Sequence, residues 1–306
     1  MSNVTISVIM LTYNRETLVS RAIESIMKQT FTSFEFIIVD NGSTDRSGII
    51  ADEYAEKDSR IHVIHRNRGN IGSGRNAGLD AAHGEYLAFI DDDDWAEPDY
   101  LEFLHNLTTE NSADISICGA MKNAFDEKLV MTAEEALIEV MWRRKYNVAF
   151  PAKMFRASLF EGIRFSENAK YDDIELMPRM LAGANCVAYH GLPKYIFFRH
   201  ENNNSAWTTN HALLDAETLN EYLAVYRTRT EWLCERFPNN ADAWKYFEWS
   251  FMISMVEKIN GLGIKGCKTQ LTDMMKELRD NSDEFLNSRF ILNYERQWMG
   301  QYVYPN

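Results

Sequence analysis

The stretch Tyr86-Leu87-Ala88-Phe89-Ile90-Asp91-Asp92-Asp93-Asp94-Trp95 decides how this chain is read. An apolar run of strand length stops at four consecutive carboxylates. The run itself is what a strand covered on both faces requires. Four acids at one strand end repel each other, and gathering them costs energy unless a cation is shared. Hard cations such as Mg2+ and Mn2+ take oxygen ligands, and Mg2+ typically uses one or two carboxylates together with substrate phosphates. An Asp-x-Asp in this place therefore suits a metal–diphosphate clamp, which neutralises phosphate charge on binding and on departure. The plainer alternative is a solvated acidic turn or a helix N-cap cluster.

Outward from that stretch, strands and helices alternate. Ile6-Ser7-Val8-Ile9-Met10-Leu11, Phe34-Glu35-Phe36-Ile37-Ile38-Val39 and Ile61-His62-Val63-Ile64 read as strands, as does Asp114-Ile115-Ser116-Ile117-Cys118. Between them, Leu18, Ala22, Ile23 and Ile26 recur at helical spacing over Glu16 to Lys28. Further helices are expected through Ile49, Ile50 and Tyr54, around Arg75 to Ala82, and through Leu101 and Leu104 with Pro98 in the first turn. This order predicts an α/β fold with a mostly parallel sheet and right-handed crossovers. Ligands of open α/β sheets bind outside the carboxyl ends of the strands. Thr12-Tyr13-Asn14, Asp40-Asn41-Gly42, Arg66-Asn67 and Asp91–Asp94 stand there, each a polar group closing a hydrophobic strand. Asp40 is placed to read a base edge, and Asn41-Gly42-Ser43-Thr44-Asp45 to turn the chain and cap the next helix.

Composition narrows the classes. The 306 residues are 45% hydrophobic and 12% aromatic, enough for a sizeable core. A formal charge of −13 disfavours nucleic acid as a partner. No GxGxxG follows the first strand and no GxxxxGK[ST] occurs, which argues against a nicotinamide enzyme or a P-loop ATPase. Cys118, Cys186, Cys234 and Cys267 are widely spaced and read as small buried hydrophobes in a reducing compartment. The amino terminus runs straight into a strand pattern without a basic leader, and no apolar run approaches the roughly 20 residues of a membrane span. A cytoplasmic protein is the expectation, with a peripheral seat on the inner face of the cell membrane as its variant.

Four segments together resemble glycosyltransferase family 2: Ser7 to Asn14, Val39 to Asp45, Gly72-Ser73-Gly74-Arg75-Asn76-Ala77-Gly78, and Phe89 to Trp95. They occur in order and at family-like spacing, and the resemblance covers about residues 4 to 206. It implies a GT-A fold and an inverting transferase that moves a sugar from a nucleotide-sugar, usually of uridine, with Mn2+ or Mg2+ as cofactor. Thr12, Tyr13, Asn14 and Asp40 would hold the nucleoside, and Arg75 the donor. Asp91 and Asp93 would form the Asp-x-Asp, with Asp93 the direct metal ligand, Asp92 a middle position on the donor side, and Asp94 a capping, orienting or ligating group. Asn41 departs from the second Asp common in the family.

Phe165 and Tyr171-Asp172-Asp173-Ile174-Glu175-Leu176 are similar to the family's aromatic-x-Glu-Asp segment. The resemblance makes Asp173 the base that deprotonates the acceptor hydroxyl, with Asp172 in place of the usual Glu; simple helix capping, disturbed by Pro178, is the alternative. Pro151-Ala152-Lys153-Met154-Phe155 and Tyr195-Ile196-Phe197-Phe198-Arg199-His200 also match family segments. They offer Lys153 and Arg199 as diphosphate or acceptor contacts and His200 as a metal ligand.

The implied organisation is a nucleotide-sugar-binding half over 1–120, an acceptor-binding half with the base over 121–206, and a helical extension over 207–306. In that extension Leu213, Leu219, Leu223 and Tyr226 suggest one helix, Trp249 to Val256 another, and Leu271, Met274, Met275 and Leu278 a third. Gly261, Gly263 and Gly266 break the last two apart. Trp244, Phe247, Trp249 and Phe251 suit internal packing, including contacts in a homo-oligomer, or a surface turned to a membrane or a lipid-linked saccharide acceptor. Two other readings stay open: a sugar nucleotidyltransferase, and an inactive homologue that binds saccharides or protein partners.

Overall fold

The computed structural model describes residues 4–120, 125–167, 171–200 and 210–304. The chain divides into two compact units, Met1–Phe198 and Arg199–Asn306. The boundary expected at 206/207, and Trp207 with it, lies outside the described residues.

The first unit begins with β1 (Ile6–Thr12), α1 (Val19–Met27), β2 (Phe34–Asp40), α2 (Ser47–Ala55), β3 (Ile61–His65), α3 (Ile71–Asp80) and β4 (Tyr86–Asp91). It continues with β5 (Trp95–Ala96), α4 (Tyr100–Asn111), β6 (Ile115–Ala120), β7 (Lys128–Met131), α5 (Ala133–Trp142), β8 (Lys153–Arg156), α6 (Asp172–Gly183) and β9 (Val187–Ile196). Among the described residues these strands form one nine-stranded sheet in the order β3-β2-β1-β4-β8-β6-β9-β5, with β7 on β9. β3, β2, β1 and β4 are mutually parallel, and β8 runs antiparallel to both β4 and β6. The halves expected for the first 206 residues thus share one sheet.

Register is what builds the site. Thr12 lies opposite Asp40, Asp40 opposite His65, and Leu11 opposite Asp91, so the polar closers of four strands meet along one edge. Apolar residues behind them are fully buried: Ile6, Val8 and Met10 of β1 pack in one core with Phe36 and Ile38 of β2 and Ala88 and Ile90 of β4. On α3, a Cβ at Gly74 would run into Leu11 and one at Gly78 into Ile9, so only glycine lets this helix lie so close to β1.

Several boundaries differ from expectation for local reasons. α1 begins at Val19, not Glu16, because the amides of Asn14, Arg15 and Glu16 are drawn to Ser43, Ser47 and Asp45 of the β2–α2 connection. α3 begins at Ile71, where Asn70 caps it by accepting from the Ser73 amide at 2.8 Å. Pro98 stands before α4 rather than in its first turn, with its carbonyl accepting from the Thr30 amide.

The second unit is helical: α7 (Ala216–Arg236), α8 (Ala241–Gly261), α9 (Lys268–Asp280), α10 (Ser282–Leu286) and α11 (Asn293–Trp298). Leu213 precedes α7 in a short 3-10 turn and is exposed, so it is no part of that helix's apolar face. Trp244, Phe247 and Trp249 are buried, and Phe251 stacks on Tyr226 with ring centroids 4.1 Å apart. The aromatic stripe of α8 is therefore core. Among the described residues no helix is long and apolar enough to cross a membrane.

Candidate active site

β4 ends at Asp91, and the turn that follows carries Asp92, Asp93 and Asp94 into the edge formed by the parallel strands. The four acids take different positions. Asp91, Asp93 and Asp94 each bring one carboxylate oxygen within 4.8 Å of the others. An all-oxygen set of this kind is what a hard divalent cation takes. Asp94 is buried and accepts from the Tyr195 hydroxyl at 2.8 Å and the Phe198 amide at 2.7 Å. Burial, and next the charge of Asp91, push its carboxyl well above the usual range. Orientation is thus its structural part in the cluster.

Asp92, expected as a spacer on the donor side, turns back into the protein. Its carboxylate accepts from the Tyr13 amide at 3.2 Å and faces Arg15 at 3.6 Å. Burial pushes it up to about 7, against the pull of the Thr12 hydroxyl. Asp92 thereby joins the acidic turn to the end of β1.

Asp40 is nearly covered, and both of its oxygens have partners. One accepts from the Ser43 amide at 2.9 Å and the other meets His65 Nδ1 at 3.0 Å. His65 Nε2 faces Asp52 at 3.0 Å, so both ring nitrogens look at carboxylates. The Asp40 contact first, then Asp52, raises the imidazole above its ordinary value. Asn41 donates to the carbonyls of Gly69 and Asn70 at 2.8 and 3.2 Å, which a carboxylate could not do. That explains an amide where the family often has an acid.

Asn14, expected to touch the donor, is a turn residue here. It sits at φ 52° and its side-chain oxygen accepts from the Thr44 amide at 2.8 Å. The Tyr13 ring lies under the Arg68 guanidinium, 4.6 Å from its centroid. Lys153 is only 1% exposed and donates to the Ala149 carbonyl at 2.5 Å. Burial lowers its ammonium to about 7, with the nearby charges of Cys118 and Asp173 opposing. A lysine so enclosed underlies the site and does not present itself to a diphosphate.

Arg75 of α3 is the bridge between the two acidic groups. Its guanidinium is 3.9 Å from Asp91 and 3.5 Å from Asp172, the buried first residue of α6. Asp173 follows in the same first turn, where the helix N-terminus favours negative charge. Burial raises its carboxyl, while Arg75 and then Arg143 pull it down. Pro178 lies inside α6, and the helix runs on through it to Gly183. Arg199 and His200 open the second unit, and their roles belong to the proposal below.

Tyr195, His65 and Arg21 were not singled out from the sequence. Tyr195 accepts from the Asp91 amide at 3.1 Å while donating to Asp94. His65 could have been suspected as the last residue of the third strand. For the other two only the folded contacts give the signal.

The mostly parallel α/β sheet with flanking helices is a GT-A fold, and Arg75 lies between its acidic cluster and Asp172. The model of glycosyl transferase family 2 matches residues 7–170, and the chain belongs to that family. It is 36% identical over 171 residues to a putative glycosyltransferase EpsH of Bacillus subtilis, spanning 53% of this chain and 49% of EpsH. It is 30% identical over 258 residues to the glycosyltransferase GlyA of Streptococcus pneumoniae, spanning 74% of this chain and 37% of GlyA. The chain thus covers about half or less of these two curated relatives. S. aureus TarS superposes with a TM-score of 0.69 at 21% identity, over 98% of this chain and 54% of TarS. A mannosyltransferase of Pyrobaculum calidifontis, solved with GDP-Man and Mn2+, superposes with a TM-score of 0.57 at 15% identity, over 98% of this chain and 84% of that one. Both likenesses bear on the fold.

Proposed function

We propose that this chain transfers a sugar from a nucleotide-sugar, a UDP-sugar in the first instance, to a hydroxyl of a saccharide or lipid-linked saccharide. The anomeric centre is inverted, and the product belongs to a cell-surface polysaccharide made at the inner face of the cell membrane. The observation that carries this reading is the carboxylate cluster of Asp91, Asp93 and Asp94 at the strand edge, tied through Arg75 to the Asp172–Asp173 turn.

Mn2+ or Mg2+ would be held by Asp93 and Asp91, with His200 as a further ligand, and would offset the charge of the diphosphate. The chain's own residues do the rest. Thr12 and Tyr13 contact the nucleoside, and Asp40, fixed by Ser43 and His65, accepts from a base N–H. Arg75 faces the donor, and Arg199 adds a diphosphate contact. Asp173 takes the proton of the attacking hydroxyl as its oxygen bonds to the anomeric carbon. The bond from that carbon to the phosphate oxygen breaks, and its electron pair leaves with the nucleoside diphosphate.

The test is release of nucleoside diphosphate with Mn2+ and a panel of donors. Asp93→Ala should abolish metal-dependent release, and normal turnover by that variant would sink the metal assignment. Asp173→Asn should bind donor and fail to transfer; loss of donor binding would instead make Asp173 structural. Pyrophosphate formed from a nucleoside triphosphate and a sugar phosphate would identify a nucleotidyltransferase.

A further inference from the structure

Arg21 of α1 takes no part in the reading above, yet its surroundings are tightly defined. Its guanidinium carbon lies 4.0 Å from the centroid of the Trp95 ring and 4.4 Å from that of Phe198. Nη2 donates to the backbone carbonyl of Asp93 at 2.6 Å. The Phe198 amide donates to the Asp94 carboxylate, and the Tyr195 hydroxyl spans Asp94 and the Asp91 amide. Two elements distant in sequence, α1 and the end of β9, therefore grip the same four-residue turn.

We infer that Arg21 is the positioning residue of the acidic turn: held by Trp95 and Phe198, it fixes the Asp93 peptide and so the direction in which the Asp93 carboxylate points. The inference rests on the metal part of the proposed function. The reasoning is geometric. A charge-assisted bond to a carbonyl is among the stronger hydrogen bonds a turn can receive. A guanidinium in contact with two aromatic rings has little freedom to leave it. Lysine could bring the charge but not the plane that lies along both rings. Arg21 has the geometry of a group acting through a ligand, as outer-shell partners of metal sites do.

The test is Mn2+ binding to the intact chain, alone and with UDP or GDP, read from the paramagnetic resonance signal of unbound Mn2+. Arg21→Met keeps an unbranched stem and removes the charge and the donor, while Arg21→Lys keeps the charge. Arg21→Met should weaken Mn2+ binding by about 10- to 100-fold, with Arg21→Lys between it and wild type. Nucleotide binding in EDTA and the Tm should change little in both. A folded Arg21→Met with wild-type Mn2+ affinity overturns the inference. So does a parallel loss of Tm and of metal-independent nucleotide binding, which would mark a packing residue. If Arg21→Met does not fold, Arg21→Lys carries the test, and wild-type affinity in it overturns the inference equally. A wild-type chain that takes up no Mn2+ under any of these conditions overturns the metal reading itself and Arg21's role with it.

Discussion

Asp93 and Asp94 of the acidic turn in the first unit and Glu295 of the second are all buried carboxylates, but they differ in the company they keep. Glu295, 1% exposed, accepts from Tyr246 at 2.8 Å, Ser250 at 2.5 Å and the Leu292 amide at 2.9 Å. Its partners are neutral donors, and it ties α8 to the start of α11. Asp94 also accepts from a hydroxyl and an amide, but it stands with Asp91 and Asp93 so that three carboxylate oxygens crowd within 4.8 Å. Buried charge surrounded by donors is a structural fastening, whereas buried charge surrounded by like charge asks for a counterion. Burial alone does not separate function from structure; the sign of the neighbours does.

That contrast breaks first on paired substitutions. Asp93→Ala should lower turnover by about 10²- to 10³-fold or more while the Tm stays near wild type, since the change relieves repulsion in the turn. Nucleoside diphosphate release and a thermal melt on one preparation decide it, and a large Tm loss would move Asp93 to the structural side. Glu295→Ala should do the reverse. One buried and two half-buried donors lose their acceptor, so the cost is roughly 3 kcal/mol, or about 10–20 °C in the Tm of a unit this size. Turnover per folded molecule should hold, and a selective loss of turnover at unchanged Tm would give Glu295 a functional part.

How much of this was legible in the sequence follows from the same contrast. Residues that close a hydrophobic strand are local features, so Thr12, Asp40 and Asp91 could be placed at one edge from the alternation of elements alone. Their neighbours could not. That β8 enters between β4 and β6 depends on long-range pairing. The grip of Arg21 on Asp93 spans 72 residues and that of Tyr195 on Asp94 spans 101. The family resemblance makes Asn14 a donor contact, and its part in the turn, a positive φ and a bond from Thr44, appears only once β1 and β2 lie side by side. The match of its segment to the family offers Lys153 as a diphosphate or acceptor contact, and its burial beside Ala149 is invisible in a linear pattern.

A smaller effect sharpens the comparison at the second acidic pair. Asp173 is raised by burial and pulled down by Arg75 and Arg143. In the proposed role of base it must be deprotonated, so activity should then fall as pH drops through that raised value. Arg75→Met removes one of the opposing charges and should shift the acid limb of kcat to higher pH, beyond its effect on donor affinity. An acid limb that stays in place in Arg75→Met would mean that another group controls it.

The smallest effect lies in the second unit, where one carboxylate departs from the donor-only pattern of Glu295. Glu248 is buried and 3.9 Å from Arg227, which itself reaches Glu277 at 2.5 Å. Burial raises Glu248, the Thr230 hydroxyl opposes, and Glu277 adds to the rise. The folded state therefore holds this proton more tightly than the unfolded chain does. Its contribution to stability is complete below the ordinary carboxylate pKa and is lost as pH rises through the raised one. Glu248→Gln cannot titrate and should flatten the pH dependence of Tm across that window, while Arg227→Met, which removes an opposing charge, should steepen it. If both variants follow the wild-type curve, the burial of Glu248 is fully offset by its partners. Like charge nearby would then have no cost outside the acidic turn.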